Sequence, residues 1–312
     1  MNQFRQDVID GLSQPNKTLP SKYFYDKKGD ELFIQIMSMP EYYLTKAEMD
    51  IFANQTAALT ALLQIDKSQP LEIIELGAGD GTKTAKLLAY LLEQQYDFKY
   101  YPVDISSNAL EILTKHYQNI LPDLKMECMC GDYIAQVNEL SHSNNPKVVL
   151  FLGSNIGNLT DEQATSFLNE LSKQLNAGDR IVLGVDLIKS RDIVLPAYND
   201  AQGITKAFNM NLLDRINQEL GADFDSNAFD HCPEYEAQEG IARSYLKSLQ
   251  DQAVKIGELT VKFAAGEKIQ TECSRKYNDT VLQSILDDTT IVLENKILDN
   301  RQLFADYILK KQ

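Results

Sequence analysis

The chain has 312 residues, 44% of them hydrophobic and 24% charged, which is enough for one large domain or two smaller ones. Its formal net charge of −15 excludes most nucleic-acid-binding functions, because phosphate backbones are bound by clustered lysine and arginine side chains. The sequence has no apolar segment long enough to span a bilayer or to resemble a signal peptide, so we expect a cytoplasmic protein without a membrane partner.

The N-terminal residues predict two helices, at 30–37 and 45–63. Thr45, with Glu48 three residues later, has the spacing of a capping box, which predicts Thr45 as the N-cap of the second helix. Tyrosines are concentrated on both sides of the first helix, among them Tyr25 and Tyr42. Such tyrosines either pack half-buried or line a polar pocket, and composition does not choose between the two.

The stretch from residue 71 to residue 81 reads LEIIELGAGDG and predicts a nucleotide-binding turn. It combines an apolar strand with alternating glycines, including Gly77 and Gly79, and a helix follows at 83–95. Glycines let a ligand approach bare backbone amides. A dinucleotide-binding turn has the spacing G-x-G-x-x-G, whereas Thr82 here takes the place of the third glycine. The arrangement E-L-G-x-G-x-G is more typical of an S-adenosylmethionine (SAM) site.

A SAM site also needs a carboxylate at the end of the next strand, where it can hold the ribose hydroxyls. Asp104 ends the strand predicted at 99–104, and Ser106 or Ser107 can cap the helix that follows. The alternative is a glycine-rich loop followed by a solvated aspartate. The two features together favour the SAM site.

From residue 71 onwards, predicted strands alternate with predicted helices. The strands are 71–76, 99–104, 125–130, 147–152 and 179–186. The helices are 83–95, 107–119, 134–140 and 161–175. This alternation predicts the α/β class, with a Rossmann-like, doubly wound and mostly parallel sheet. Ligands of such sheets bind at the carboxyl ends of the strands, so the residues there are candidate site residues.

Two further loops fall at these strand ends. After the third strand, Asp132 could accept from an adenine amino group and Tyr133 could cover the ring, or Asp132 could simply cap a helix. After the fourth strand, the loop 153–159 contains Asn158 and combines glycines with amide side chains. It either contacts a ligand beside the methyl donor or forms an ordinary Asn–Gly turn.

The regular alternation ends after residue 186. No clear strand is predicted between 189 and 255, where we expect a helix at 203–220 and a loop at 222–236. Strand patterns return at 258–264, 269–274, 289–293 and 303–309. We expect the last two of these strands to close the sheet.

These patterns predict two domains. The SAM-binding domain comprises residues 62–188 and 275–312. A second α+β lobe, which would bind the substrate, comprises residues 1–61 and 189–274. We expect a monomer, because two lobes of one chain need no partner subunit to form a site.

The four cysteines and three histidines do not have the spacing of a metal site, and no metal is predicted. Cys128 and Cys130 alternate along the strand predicted at 125–130 and are expected to be buried thiols. The chain has no C-x-x-C pair, and its cysteines fit a reducing cytoplasm.

Seven segments resemble, in the same order and almost from end to end, the histidine-specific SAM-dependent methyltransferases. These segments are SKYFYDKKGDELFIQIMSMPEYYLTKAE, ELGAGDGTKT, YPVDIS, GDY, FLGSNIGNL, LPAYNDAQGITKAFNMNLLDRINQELGADFD and QTECSRKY. That family trimethylates the α-amine of histidine to give hercynine, the first step of ergothioneine biosynthesis. The resemblance implies a class I methyltransferase domain with a substrate lobe, SAM as cofactor and S-adenosylhomocysteine (SAH) as its product.

The resemblance also implies roles for individual residues. Those that would contact SAM are Gly77, Gly79, Lys83, Asp104, Asp132 and Tyr133. Those that would bind L-histidine are Tyr42, Asn158, Tyr198, Glu272 and Ser274. Asn158 and Tyr198 would hold the α-carboxylate, and Asn158 would also orient the amine. Tyr25 would reach the amine through water, which makes Asn158 and Tyr25 the implied catalytic residues.

The residue types suit this chemistry. Methyl transfer is an in-line displacement, to which an enzyme contributes mainly positioning. The attacking amine must lose a proton, and neutral amides and hydroxyls favour that loss, whereas a carboxylate would stabilise the unreactive ammonium. Glu272 and Ser274 would lie on one face of a strand with Cys273 on the other, a spacing that fits a two-point contact with an imidazole.

One segment departs from the family pattern. Relatives commonly carry I-E-M-H-L where this chain has residues 242–246, so that Ser244 replaces a methionine and Arg243 reverses a charge. The alternatives to histidine methylation are therefore a methyltransferase of the same architecture acting on another amino acid or small amine, and a SAM-binding protein without catalysis. A nicotinamide oxidoreductase is disfavoured by the turn spacing.

Overall fold

A computed structural model describes residues 3–312 of the chain. The helices of this part are α1 (Gln3–Leu12), α2 (Lys27–Ser38), α3 (Tyr43–Asn54), α4 (Thr56–Leu63), α5 (Thr84–Glu93), α6 (Ser107–Ile120), α7 (Tyr133–Glu139), α8 (Asp161–Lys173), α9 (Arg191–Val194), α10 (Ile204–Leu220) and α11 (Asp279–Leu286). The strands are β1 (Lys17–Thr18), β2 (Leu71–Leu76), β3 (Phe98–Asp104), β4 (Met129–Cys130), β5 (Lys147–Phe151), β6 (Arg180–Asp186), β7 (Phe229–Glu236), β8 (Ile241–Ser248), β9 (Gln252–Ile256), β10 (Leu259–Phe263), β11 (Lys268–Arg275), β12 (Ile291–Leu298) and β13 (Phe304–Lys311).

The chain divides into two compact units. The first contains the residues up to Tyr43 and Ile188–Lys276, and the second contains Leu44–Leu187 and Tyr277–Gln312. The division before Leu44 differs from the predicted boundary after residue 61. Residues 44–61 belong to the second unit, where for example Gln55 donates to the carbonyl of Leu298 over 2.7 Å.

The second unit is organised on a seven-stranded sheet of order β12-β13-β6-β5-β2-β3-β4. The strands β2 to β6 run parallel to one another, and β13 is antiparallel to both β6 and β12. All six residues of β2 are buried, as the apolar run predicts for a strand covered on both faces. The predicted class, an α/β Rossmann-like sheet closed by the two C-terminal strands, is confirmed.

The strand order places the candidate loops. The chain runs from the central β2 outwards through β3 to β4, and then returns to the other side of β2 with β5 and β6. In doubly wound sheets the crevice at such a reversal, beyond the carboxyl ends of the strands, is where ligands bind. Here it lies between the loops that follow β2 and β5.

The first unit contains a four-stranded sheet of order β1-β11-β8-β7 and a separate hairpin of β9 and β10. Its core combines helix and sheet residues, among them Phe208 and Leu212 of α10, Leu246 of β8 and Ile269 of β11. Burying side chains of this size contributes about 1.5–3 kcal/mol each. Within residues 3–312, no helix combines the length and the apolar character needed to cross a membrane.

Three strands lie in the region predicted to contain none, namely β7, β8 and β9. In β8 every second residue is buried, and two of the buried residues are Ser244 and Ser248. Because serines occupy core-facing positions, the alternation of apolar and polar residues that marks a half-buried strand is broken. The prediction for this region was therefore wrong.

The third predicted strand, 125–130, is much shorter in the structure, where it corresponds to β4. Of the residues predicted at 125–130, Met129–Cys130 form a strand with β3 at the edge of the sheet, and Met126 makes a single bridge to Tyr100 of β3. Cys128 and Cys130 are exposed, not buried as expected, because this edge is not covered.

The predicted capping box at Thr45 is also wrong. Helix α3 begins at Tyr43, so Thr45 lies inside it, and the predicted single helix 45–63 is interrupted at Gln55 between α3 and α4. Glu48 does not reach back to cap the helix. Its carboxylate is buried and binds groups elsewhere in the second unit.

Candidate active site

The turn after β2 is built on glycines with left-handed backbone. Gly77 has φ of +74°, and its N–H donates to the carbonyl of Val103 over 2.8 Å. A Cβ atom at Gly77 would come within 2.7 Å of the Tyr133 hydroxyl, so a side chain there would displace Tyr133. Gly79 is exposed, with φ of +55°. Two predicted cofactor residues, Gly77 and Tyr133, therefore lie together.

Asp104 connects this turn to the next strand. One carboxylate oxygen accepts from the N–H of Ser106 at 2.9 Å, and the other lies 3.4 Å from the N–H of Gly79. Ser106 caps α6 by accepting from Ala109. An acidic side chain is thus held at the end of β3 beside exposed backbone donors, which fits a ligand that carries hydroxyl groups.

Asp132 lies at the start of α7. It caps this helix by accepting from the N–H of Ala135 at 3.1 Å, and its side chain remains exposed. The capping role, one of the two alternatives, is present, and an acceptor oxygen remains for a ligand. A surface groove of about 690 Å³ opens beside Asp132 and Tyr133 and is lined also by Leu159 and Phe167.

Lys83 occupies the N-cap position of α5, directly after the glycine turn. Its ammonium group forms an ion pair with Glu48 of α3. Burial alone would lower the pKa of Lys83, but the charge of Glu48 raises it, so the lysine stays protonated. Glu48 also accepts from the N–H of Gly153. This role was not predicted, because the spacing of Glu48 from Thr45 was interpreted as a local helix cap.

Glu75, the acid before the glycine turn, is buried within the sheet. It accepts from the hydroxyl groups of Thr84 and Tyr100, and burial raises its pKa to about 7. Because its oxygens accept hydrogen bonds from neighbouring side chains, Glu75 stabilises the strand and helix on either side of the turn and does not face a ligand.

The loop after β5 folds into a 3₁₀ helix, Asn155–Asn158. Ser154 precedes it with φ of +58°, and its buried hydroxyl accepts from the N–H of Asp186 at 3.1 Å. Asn158 ends the 3₁₀ helix with an exposed side chain. The loop therefore holds an amide side chain at the carboxyl end of β5, beside the reversal of strand order.

The first unit brings together the predicted side-chain recognition residues. In the register of β11 and β8, Glu272 lies opposite Ser244, Cys273 opposite Arg243, and Ser274 opposite Ala242. Residues directly opposite one another share a face of the sheet. Glu272, Ser274 and Ser244 thus share one face, and Arg243 lies on the other, where it pairs with Glu239 at 2.8 Å.

The Glu272 carboxylate accepts a hydrogen bond from the Ser244 hydroxyl at 3.0 Å. Burial raises the pKa of Glu272, and this hydrogen bond and the charge of Lys276 oppose the rise. Ser244 therefore contacts the acid that was predicted to read the substrate side chain.

Ser274 belongs to a buried cluster with Tyr198 and Lys276. The Tyr198 hydroxyl donates to Ser274 Oγ at 2.9 Å, and the Lys276 ammonium donates to both oxygens, at 2.6 Å and 2.9 Å. Lys276 is fully buried. No role was predicted for Lys276, although its position two residues after Ser274 was the available signal.

Tyr25 and Tyr42 both pack edge-on against Phe33, with ring centroids 5.4 Å and 6.4 Å from its ring. The Tyr25 side chain is exposed and that of Tyr42 is half-buried. Packing, one of the two alternatives for these tyrosines, is therefore present in the first unit, and exposure of Tyr25 leaves it able to contact a ligand.

A sheet of this strand order, with a glycine turn at the reversal and an acid ending the neighbouring strand, defines a SAM-dependent methyltransferase of class I. The structure of the mitomycin 7-O-methyltransferase MmcR superposes on 99% of this chain and 66% of its own, with a TM-score of 0.50 and 12% identity. A likeness at this identity supports the fold alone.

The sequence profile of one family, the histidine-specific, SAM-dependent methyltransferases, matches residues 4–311. The chain belongs to this family. It is 36% identical to the histidine N-α-methyltransferase of Mycolicibacterium smegmatis over 275 residues, which cover 88% of this chain and 84% of that protein. The histidine N-α-methyltransferase of Mycobacterium tuberculosis matches with the same identity and the same coverage.

Proposed function

We propose that this protein transfers methyl groups from SAM to the α-amine of L-histidine and forms N,N,N-trimethylhistidine (hercynine), the first step of ergothioneine biosynthesis. The observation that carries the proposal is the pair of polar groups at Glu272 and Ser274, which share one face of β11. When bound, SAM supplies an electrophilic methyl group on its sulfonium sulfur. The protein supplies binding, orientation and the environment of the amine.

Glu272 is proposed as the acceptor for one imidazole nitrogen. A carboxylate has two acceptor oxygens, and Ser244 donates to only one of them, Oε2. The other oxygen can accept the N–H of a neutral imidazole. An indole N–H would satisfy Glu272 equally, so Glu272 alone does not select histidine.

Ser274 supplies the second half of the recognition. Its oxygen accepts from the Lys276 ammonium, which has no lone pair to take the Ser274 proton in return, and without a bound ligand it also accepts from Tyr198. The Ser274 proton is therefore directed to another acceptor, and the unprotonated nitrogen of imidazole is such an acceptor. An N–H acceptor and an O–H donor together match imidazole better than indole, which has no ring nitrogen lone pair to offer.

Tyr198 and Asn158 are proposed to hold the α-carboxylate. The buried ammonium of Lys276 donates to the Tyr198 oxygen and places a positive charge behind it, which favours an anion at that hydroxyl. Because Lys276 also donates to Ser274, the Tyr198 proton can turn towards a carboxylate without leaving Ser274 unbound.

The amine is proposed to be oriented by Asn158 and, through water, by Tyr25. Both side chains are neutral, so they do not stabilise the ammonium form that lacks a lone pair. The proton of the amine leaves through water, and the lone pair points to the methyl group. Tyr42 completes the recognition of the side chain.

The cofactor is proposed to bind at the carboxyl ends of β2 and β3. The exposed backbone of Gly79 and the carboxylate of Asp104 suit the ribose hydroxyls, and Asp132 suits the adenine amino group. The left-handed Gly77 beside Tyr133 keeps this turn open for a ligand. Lys83 suits the carboxylate of SAM, its only anionic group.

The proposal includes a cytoplasmic monomer without a nucleic-acid partner. The exposed thiols of Cys128 and Cys130 support a reducing compartment, and the net charge of −15 disfavours nucleic acid. Light scattering of the protein as it elutes from a size-exclusion column measures its assembly state. A dimer would contradict this part of the proposal.

The proposed substrate is tested by titrating L-histidine, histamine and L-tryptophan into the protein in a calorimeter, with SAH present. We expect heat from histidine only, since histamine lacks the carboxylate and tryptophan lacks the second ring nitrogen. Mass spectrometry after addition of SAM should then find products with one, two and three added methyl groups. Binding of tryptophan or histamine but not histidine would replace histidine by another amino acid or an amine. SAH binding without any turnover would favour a non-catalytic protein.

A further inference from the structure

Glu48 lies fully inside the second unit, with only 1% of its surface exposed. Its two carboxylate oxygens accept from the N–H of Gly153 at 2.9 Å and 3.0 Å, and the same carboxylate forms the ion pair with Lys83. One side chain of α3 thus holds two loops. One loop is the glycine turn that leads into α5, and the other follows β5 and carries Asn158.

The space for this carboxylate is provided by a glycine. Gly184 of β6 lies beneath Glu48, and a Cβ atom there would overlap its Oε1 and come within 3.0 Å of an oxygen of Asp306. Asp306 lies opposite Gly184 on β13 and is fully buried. Any side chain at position 184 would expel the two carboxylates from this place.

Asp306 completes a cluster with Glu48 and Lys83. Within residues 3–312, neither oxygen of Asp306 receives a hydrogen bond from an N–H or hydroxyl donor. Burial, together with the negative charge of Glu48, raises the pKa of Asp306 well above its usual range. The neutral form of Asp306 is therefore favoured beside the ion pair of Glu48 with Lys83.

We propose that Glu48 is a positioning residue for methyl transfer: with one carboxylate it fixes Lys83 and Gly153, and through them the cofactor and Asn158, on either side of the reversal in strand order. This inference rests on the proposed function, in which Lys83 contacts SAM and Asn158 orients the amine. Glu48 itself touches neither ligand.

Charge and geometry both favour this role. An ammonium group has three donors, so the bond to Glu48 leaves donors of Lys83 for the carboxylate of SAM. The loops that carry Lys83 and Asn158 follow neighbouring strands, β2 and β5, and the Glu48 carboxylate links the two loops beyond the strand ends. A displacement of about 1 Å in a reacting geometry can lower a rate by roughly a hundredfold.

The test is Glu48→Gln, compared with Glu72→Gln as the matched control. Glu72 is also a buried carboxylate beside a buried lysine, with Oε2 3.7 Å from Lys147 Nζ, but this pair lies at the opposite ends of β2 and β5. We expect Glu48→Gln to weaken SAH binding and to lower kcat, each at least about tenfold. Glu72→Gln should lower the melting temperature and leave SAH affinity, KM and kcat unchanged.

A double-mutant cycle identifies the route through Lys83. In a Lys83→Ala background, Glu48→Gln should no longer affect SAH affinity, while its effect on kcat through Gly153 should persist. If Glu48→Gln does not fold, Glu48→Asp takes its place. Aspartate keeps the charge but has a shorter side chain, so we expect smaller losses of SAH affinity and kcat. Unchanged SAH affinity and kcat in the folded variant would overturn the proposal.

SAH binding separates this inference from the proposed function, because it is measured without any amino acid. If the wild-type protein binds SAH but does not methylate histidine, the proposed substrate fails, and the SAH measurement alone decides the role of Glu48.

Discussion

Ser244 donates its hydroxyl proton to Glu272 Oε2 over 3.0 Å, from the position directly opposite on the neighbouring strand. The pairing register shifts between Gln270 and Glu272, and this irregularity brings Glu272 into line with Ser244. In the proposed function, the serine therefore takes part in the recognition of the substrate side chain through the acid that it binds. A serine also leaves more space beside Glu272 than the longer side chain of a methionine would.

Substitution of Glu272 by alanine should weaken histidine binding by roughly 10- to 100-fold, since a hydrogen bond to a charged group contributes about 1.5–3 kcal/mol. Ser244→Ala should weaken it by less than about tenfold, because only the support of the carboxylate is lost. Calorimetric titration of histidine in the presence of SAH measures both effects, and SAH affinity serves as the control. Wild-type histidine affinity in Glu272→Ala would show that no imidazole contacts this residue.

Replacement of Lys276 by methionine should reduce the preference for histidine over histamine. The variant keeps the length of the side chain but removes the buried charge behind the Tyr198 hydroxyl, which we propose to bind the α-carboxylate. Histidine affinity should fall at least about tenfold, as expected for loss of a charge-assisted hydrogen bond. Tyr198→Phe, which removes the hydroxyl and keeps the ring, should show the same loss of preference. An undiminished preference for histidine in both variants would place the carboxylate elsewhere.

The features predicted correctly from sequence are those encoded within a few residues. The buried run of β2 and the glycines that follow it are local signals, because only glycine tolerates the positive φ at Gly77 without displacing Tyr133. Asp104 could be named as a candidate site residue from sequence, because it directly ends a strand. The alternation of strands and helices was sufficient to predict a doubly wound, mostly parallel sheet, but not its strand order.

The features that were missed depend on residues distant in sequence. Glu48 lies 35 residues from Lys83, and a spacing that fits a helix cap gave no indication of the ion pair. Lys276 is 78 residues from Tyr198, so only the folded chain brings the two together. Strand β8 was hidden because Ser244 faces inwards, which a hydrophobic pattern cannot reveal. These polar, buried positions belong to the candidate site and to its support.

The buried Glu75 should make the second unit less stable as the pH rises. Burial raises the pKa of Glu75 from 4.5 to about 7. Between these values the group is protonated in the folded protein and ionised in the unfolded chain, so unfolding releases a proton and the free energy of unfolding falls with increasing pH. Two and a half pKa units correspond to at most about 3 kcal/mol.

The variant Glu75→Gln isolates this effect, because glutamine keeps the size and an acceptor oxygen for Tyr100 or Thr84. Urea denaturation at about pH 5 and about pH 8 should show the variant gaining stability relative to wild type at the higher pH only. A difference between the two proteins that does not change with pH would mean that Glu75 is ionised in the folded protein at both values.

His231 of β7 should make the first unit less stable as the pH falls, the opposite pH dependence to that of Glu75. Burial lowers its pKa from 6.5 to about 4, and its Nε2 atom is buried without a hydrogen-bond partner in residues 3–312. Between these values the unfolded chain binds a proton that the folded protein does not, so the free energy of unfolding falls as the pH decreases from about 6.5 to about 4. His231→Phe removes the titrating group and should flatten this part of the stability curve, whereas substitution of the exposed His142 by glutamine should not. Denaturant titrations across that range measure the change, and a curve for His231→Phe that parallels wild type would show that His231 becomes protonated without unfolding.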